Sequence, residues 1–241
     1  INEYLFKQDH VDLNHLYIDG SKFEANANKY TFVWKKATEK YRYALFAKIT
    51  ELFEKMNQEL SYEGVTIQIN TEYVPAYLDE VLSNYRILRK IDESTFVHGK
   101  GHRKTAEQRN VEKLIEYRDK LSEYVEKLET CGEDRNSYSK TDHDATMMAT
   151  KWDYYNQSGV TRPCYNCQIA VSDGVIINSA VSQTPADNVT WQEFLDQYNE
   201  YHGKYPEYPV ADAGYGNYDN YMYNFQHGMN LVQKYTMYGK A

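Results

Sequence analysis

The chain has 241 residues and a formal charge of −8, which argues against a protein that binds nucleic acid over its whole surface, because phosphate contacts draw on lysine and arginine. A local basic patch stays compatible with this charge. No run of about eighteen apolar residues occurs and the N-terminus lacks the pattern of a signal peptide, so the sequence predicts neither a membrane span nor secretion. The 3 cysteines are a small, odd set, as expected in a reducing cytoplasm.

The N-terminal half predicts one strand followed by helices. HLYID (15–19) is typical of a short buried strand, and residues 22–25 either continue it or turn back from it. Apolar residues at three-to-four spacing predict a long helix from Trp34. Its apolar face is formed by Tyr41, Leu45, Ile49, Leu52, Met56 and Leu60. VTIQIN (65–70) is a short strand or an extended connection, Pro75 opens a second helix, and a third runs from about Thr105.

The C-terminal part changes to a two-residue period. CYNCQIAVS (164–172) and VIINSAVSQ (175–183) flank an Asp-Gly pair and therefore predict a β-hairpin. Helix and strand then alternate: a capped helix from Thr190, the strand YPVAD (208–212), a helix over 218–227 and the strand LVQKY (231–235).

This order predicts an α/β fold, an RNase H-like mixed sheet with a large helical insertion after the first strand. We assign residues 1–35 to the first strand region of the core, 36–140 to a helical insertion subdomain, and 141–241 to the remainder of the core. The polar, turn-rich stretch 131–146 marks the exit from the helices.

Two distant aspartates are the candidate catalytic and metal-binding residues. Asp19 ends the first predicted strand and Asp212 ends the fourth, and these strands can lie side by side in such a sheet. Two divalent ions held by carboxylates can activate an attacking oxygen and stabilise a leaving one in phosphodiester cleavage. Hard oxygen ligands suit Mg²⁺. The alternative is that each aspartate only caps a strand or begins a turn.

Several blocks resemble those of bacterial insertion-sequence transposases of the DDE class, in particular the eleven-eighty-two group, which is related to the insertion-sequence-four and -five transposases. The blocks are YIDGSKFEANANKYTFVWKK, KTDHDATMM, CYNCQIAVSDGVIINSAVSQTPAD and YPVADAGYGNYDNY, and the likeness extends to the ending MNLVQKYTMYG. The first block is long and specific. His143 stands where relatives usually carry proline, and no catalytic role is assigned to the flanking Asp142 and Asp144.

The resemblance implies an RNase H-like core that holds two Mg²⁺ ions, or Mn²⁺ in their place, on an Asp, Asp, Glu triad. Asp19 matches the first acid and Asp212 the second. The substrates implied are transposon-end and target DNA, cleaved and then joined by a homodimer in a bacterial, nucleoid-associated setting. The third acid belongs to a helix after the fifth strand, and the chain ends before it, as it also lacks the usual N-terminal region. We therefore expect a core fragment that is inactive in isolation.

Two other functions remain open. One is a catalytically inactive descendant that binds DNA or a partner protein, and the other is a metal-dependent nuclease of the same fold. Lys100, Arg103 and Lys104 lie in a predicted loop and are candidate DNA contacts, with His98 and His102 beside them.

Three further sets of residues have a structural interpretation beside a functional one. Cys164 and Cys167 have the spacing of half a zinc site, but on a strand they point to opposite faces. Trp34 and Trp191 could stack on a base, although packing in the core is the simpler reading. The tyrosines after Asp212 could contact phosphate or pack: Tyr215, Tyr218, Tyr221 and Tyr223.

Overall fold

The computed structural model describes residues 11–99, 101, 103–150 and 160–234. It divides into two compact units. One is Val33–Gly132, and the other is formed by the described residues that precede and follow this segment. Lys100 and His102, which the sequence predicted as DNA contacts, lie outside the described residues. Within the described part, no helix is both long and apolar enough for a membrane span.

The elements alternate between strands and helices outside the segment Val33–Gly132 and are helical within it. The strands are β1 (His15–Glu24), β2 (Phe32–Trp34), β3 (Ser137–Ser139), β4 (Thr146–Ala149), β5 (Thr161–Ser172), β6 (Val175–Ser182), β7 (Tyr208–Ala211) and β8 (Val232–Gln233). The helices are α1 (Lys35–Leu60), α2 (Pro75–Leu88), α3 (Ala106–Cys131), α4 (Asp187–His202) and α5 (Tyr218–Gln226).

The main sheet is mixed, with strand order β4-β5-β1-β7-β8 and β6 paired to β5. The strands β1, β5 and β6 are antiparallel neighbours, whereas β7 runs parallel to β1 and β8 parallel to β7. The hairpin between β5 and β6 turns at Asp173, whose φ is 49°, and Gly174. This mixed α/β architecture is consistent with the RNase H-like fold of DDE transposases, as the element order predicted.

One face of the sheet is buried, and on the other, called the open face below, the residues of β1 are exposed or half-buried. Leu16 and Ile18 on β1 and Ala170 on β5 are almost fully buried on the first face. They belong to a core to which α4 contributes four side chains: Trp191, Phe194, Leu195 and Tyr198. On the second face Tyr17 is 58% exposed, because successive strand residues point to opposite sides. Asp19 follows Tyr17 by two positions and therefore lies on the open face.

Several predicted boundaries were wrong. Asp19 does not end its strand, because β1 continues to Glu24 through its pairing with β5. The helix predicted from Thr190 begins at Asp187, and Thr190 instead donates its hydroxyl to the carbonyl of Asp187 at 2.8 Å. The strand β4 was not predicted, because its stretch TMMA is too short to show alternation.

The helical unit has a core of its own. The helices α1, α2 and α3 bury a continuous set of apolar residues that includes Phe53, Leu78 and Leu114. Pro75 stands in the first turn of α2, and the Thr105 hydroxyl caps α3 by accepting the N–H of Gln108 at 3.1 Å. Tyr41 is 59% exposed, so its assignment to the apolar face of α1 was wrong. Residues 65–70 form an extended connection and no strand.

Candidate active site

The strands β1 and β7 bring the two predicted aspartates together. They pair in parallel with Ile18 opposite Ala211, the last residue of β7, so the strand predicted over 208–212 ends one residue early. Asp19 follows Ile18 within β1, and Asp212 is the first residue after β7. Both residues are exposed. The paired residues Ile18 and Ala211 point to the same face, and the extended backbone of Asp212 continues the alternation one residue past β7. Both carboxylates therefore lie on the face opposite Ile18, where β7 ends.

A tight turn sets the conformation of Asp212. Its backbone is extended, and its Oδ1 accepts the N–H of Gly214 at 2.7 Å, which caps a short 3-10 helix over Ala213–Tyr215. A Cβ on Gly214 would lie 2.9 Å from the same Oδ1, so a larger residue there would push against the carboxylate. The Gln233 side chain donates to the Asp212 carbonyl at 2.5 Å. The turn thus fixes one oxygen of Asp212 and leaves the second for other partners.

A third carboxylate lies on the buried face beneath this pair. Asp187, the first residue of α4, accepts hydrogen bonds at Oδ1 from Asn166 Nδ2 at 2.7 Å and Gln168 Nε2 at 3.1 Å. Gly20 makes room for these groups, because a Cβ there would meet Asp187 Oδ1 at 2.6 Å and Gln168 Nε2 at 2.7 Å. A glycine is therefore needed at position 20 because the side chain of Asp187 from α4 occupies the space of its Cβ.

Tyr215 connects the buried face with the turn of Asp212. Its ring is 2% exposed, and its hydroxyl donates to Gln168 Oε1. Burial raises the pKa of this hydroxyl above its ordinary value, and the negative charges of Asp187, Asp19 and Asp212 raise it further. All three carboxylates are thus close enough to Tyr215 for their charges to act on it.

The two exposed carboxylates suit hard divalent cations but supply only part of a coordination shell. Oxygen ligands of this kind are preferred by Mg²⁺ and Mn²⁺, which usually keep waters and substrate phosphates as further ligands. In the part of the chain that the structure describes, no three His, Cys, Asp or Glu side chains are grouped so that they could hold one metal ion. Asp19 and Asp212 therefore fit a site that water and phosphate oxygens complete.

The predicted DNA contacts divide into different situations. Arg103 is exposed. Lys104 is paired with Glu112 at 2.6 Å, so its charge is already compensated on the surface of α3. The guanidinium of Arg103 is therefore accessible to a phosphate, whereas the ammonium of Lys104 already has a carboxylate partner.

The aromatic and cysteine candidates take structural places. Trp191 is 1% exposed and packs against Tyr215, with ring centroids 5.3 Å apart. Trp34 is 47% exposed, so the prediction that it packs in the core was wrong. Tyr223 donates to Asp196, a bond that holds it against α4. Cys164 is buried, which raises the pKa of its thiol, and both it and Cys167 are free thiols on β5.

Sequence reasoning missed Asn166, Gln168 and Asp187. A signal for the first two was present, because alternation along β5 places two amides on the same face as the buried Ala170. Polar residues on a buried strand face require partners. Nothing local, however, indicates that the partner is the first residue of a helix that begins nineteen positions after Gln168.

The site therefore consists of two exposed aspartates beside the parallel pair of β1 and β7, and carboxylates of this kind can hold metal ions that act on phosphodiesters. Residues 135–238 match the model of the Transposase DDE domain family, which supports a DDE-type transposase. The matched segment includes Asp212 but not Asp19. Asp19 lies near Asp212 because β1 pairs with β7. No curated protein and no solved structure matched the chain.

Proposed function

We propose that the chain is the catalytic core of a DNA transposase of the DDE class, which cleaves phosphodiester bonds at transposon ends and joins them to target DNA. The observation that carries the proposal is the lateral neighbourhood of Asp19 and Asp212 at the open face of the sheet. The family match over residues 135–238 supports the same class. The finer assignment to the eleven-eighty-two group of bacterial insertion sequences rests on the sequence blocks named above.

Asp19 and Asp212 would hold two Mg²⁺ ions, or Mn²⁺, which supply activation of the attacking oxygen and stabilisation of the leaving one. The role of the chain is to bind these ions and to orient the carboxylates that hold them. The turn at Ala213–Tyr215 presents one oxygen of Asp212 outward by using the other as a cap. The exposure of both aspartates at the open face leaves space for a DNA backbone beside them.

The surroundings of the site belong to the same proposal. We assign the unit Val33–Gly132 to an insertion in the RNase H-like core and Arg103, with Lys100 and Lys104, to DNA contacts. A homodimer on paired transposon ends and a nucleoid-associated location in a bacterial cytoplasm complete it. An inactive DNA-binding descendant is the second candidate, favoured because no three His, Cys, Asp or Glu side chains among the described residues are grouped so that they could hold a metal ion.

The decisive experiment measures Mn²⁺ binding to the chain by electron paramagnetic resonance. Strand cleavage and joining are then measured with the full-length transposase on the ends of the DNA element that encodes it. Asp19→Asn and Asp212→Asn remove one charge each without changing side-chain size. We expect each substitution to eliminate the saturable Mn²⁺ site and metal-dependent cleavage, because both carboxylates are ligands. Asp219→Asn, at an exposed aspartate of α5, is the matched control and should bind Mn²⁺ as the parent does.

Equal Mn²⁺ binding in the parent and in both variants would overturn the metal assignment. Cleavage without joining would instead identify a nuclease. DNA binding with neither reaction, in the presence of a normal Mn²⁺ site, would identify an inactive descendant.

A further inference from the structure

A row of side-chain hydrogen bonds crosses the buried face of the sheet from α4 to the turn of Asp212. Asp187 accepts from Gln168 Nε2 at 3.1 Å, and Gln168 Oε1 accepts from the Tyr215 hydroxyl. Asn166 adds a second donor to Asp187 at 2.7 Å. We refer to Asp187, Gln168 and Tyr215 as the support row. It connects three elements, α4, β5 and the 3-10 turn, that the chain order separates.

The chemistry of the three groups allows only one direction for these bonds. An ionised aspartate only accepts, so Gln168 must turn its NH₂ toward Asp187. The amide oxygen of Gln168 then faces Tyr215, which must donate. A tyrosine hydroxyl carries its proton near neutral pH and can donate it to the Gln168 oxygen. The support row therefore has one stable arrangement of donors and acceptors.

Burial makes this arrangement rigid. Gln168 is 1% exposed and Tyr215 2% exposed, so water cannot replace a lost partner. Tyr215 is held at two further points: Asn220 Nδ2 donates to its carbonyl at 2.8 Å, and its ring packs against Trp191. Both the position and the orientation of the Tyr215 side chain, three residues after Asp212, are thus fixed.

The geometry points to the support row as the device that positions Asp212 for metal binding. The inference rests on the proposed function, because it explains how one of the two acids keeps its orientation. The Tyr215 N–H lies 3.4 Å from the Asp212 carbonyl, and the Gly214 N–H donates to Asp212 Oδ1 at 2.7 Å. With Tyr215 anchored to Gln168, this short turn has a fixed orientation at the end of β7. Asp187, Gln168 and Tyr215 act through Asp212 and are positioning residues.

Tyr215→Phe tests the row by removing one hydroxyl and nothing else. Two readouts apply: the Mn²⁺ dissociation constant, and the hydrogen-exchange rate of the Gly214 amide measured by NMR. Loss of an outer partner of a metal ligand weakens metal affinity by about tenfold or more. We expect a change of that size in the dissociation constant and faster exchange at Gly214, at a temperature where circular dichroism shows a folded chain.

Tyr223→Phe is the matched control. Tyr223 also donates its hydroxyl to an aspartate, Asp196, and its pKa is also raised by burial, but it has no bond to the turn of Asp212. This variant should leave both readouts at parent values. If either substitution only loosened the core, the midpoint of thermal unfolding would fall, but the exchange rate of the Gly214 amide would not increase more than that of other amides.

Two substitutions at Asp187 separate geometry from charge. Asp187→Asn keeps an oxygen that can accept from Gln168, and we expect Mn²⁺ affinity to stay within about twofold of the parent, well below the loss expected for a broken outer partner. Asp187→Ala removes the acceptor and should behave like Tyr215→Phe. A loss of Mn²⁺ binding in Asp187→Asn as complete as in Asp19→Asn would overturn the positioning role, because Asp187 would then be a ligand itself.

Parent values of Gly214 exchange in both Tyr215→Phe and Asp187→Ala would also overturn the inference. This readout requires no metal. If the parent shows no Mn²⁺ site that depends on Asp19 and Asp212, the proposed function fails, whereas selective exchange at Gly214 still decides whether the support row holds the turn.

Discussion

Gly20 shows how a residue beside a functional acid can be determined by the opposite face of its strand. A small residue directly after a metal-binding acid could serve to let metal and substrate approach. The structure gives a different reason, since the carboxylate of Asp187 and the amide of Gln168 occupy the space that a Cβ on residue 20 would need. Asp19 and Gly20 point to opposite faces, so one residue serves the open face and its neighbour serves the packing of α4.

Gly20→Ala should destabilise the chain. The added methyl group would lie 2.6 Å from Asp187 Oδ1, and these side chains are held by several bonds, so they cannot move freely. Overpacking of this kind costs about 1–3 kcal/mol of unfolding free energy, measurable by urea denaturation.

Ser21→Ala, one position further and on the opposite face, is the control and should stay near the parent value. In Gly20→Ala combined with Asp187→Ala the contact with Asp187 is absent and the contact with Gln168 Nε2 at 2.7 Å remains, so the double substitution should cost less than the sum of the two single ones. Full additivity would show that the contact with Asp187 does not limit residue 20.

The helix α3 is stabilised by its ends and by charges along its surface. Thr105 caps the first turn, and Gly132, with φ of 70°, ends the helix with its N–H bonded to the carbonyl of Leu128 at 3.0 Å. In the middle, Glu116 is bonded to Lys113 at 2.7 Å and to Lys120 at 2.6 Å. Hydrogen bonds from these two lysines lower the pKa of Glu116 from 4.5 to about 2.

Glu116→Gln should lower stability at neutral pH and not in acid. Since the folded state has the lower pKa, the ionised form stabilises the chain above pH 4.5, and the stabilisation is lost as the pH falls toward about 2. The pair partners are 40% to 50% exposed, so solvent screening limits the effect to about 0.5 kcal/mol. Chemical denaturation at pH 7 and pH 2.5 measures the difference, and an equal loss at both would refute the ionic origin.

The described residues form two clusters of buried apolar side chains. The cluster within the segment Val33–Gly132 contains Leu114 and Phe53, and the cluster beneath the sheet contains Leu195 and Trp191. The members of each cluster belong to one compact unit. Cooperative unfolding units commonly coincide with such separate cores.

Leu114→Ala should therefore weaken one unit selectively. Leu114 is fully buried, and its truncation costs about 2–5 kcal/mol through lost burial and the cavity left behind. Hydrogen exchange followed by mass spectrometry should show faster exchange over Val33–Gly132, with peptides from β1 and β5 changed much less. Leu195→Ala should show the reverse pattern, and uniform changes in both variants would indicate a single cooperative unit.

Local patterns in the sequence determined the elements of this protein. The three-to-four period of α1, the proline in the first turn of α2 and the Asp-Gly pair between β5 and β6 act within a few residues, so they can be read without the fold. That Asp19 and Asp212 lie on neighbouring parts of the sheet could be inferred once the order of strands was recognised, because that order restricts which strands are neighbours. Only the tertiary structure decided that Asp187 lies above Gly20 and reaches Tyr215 through Gln168. These contacts join parts of the chain with no common local pattern, and they form because packing of α4 on the sheet leaves buried amides that must be satisfied.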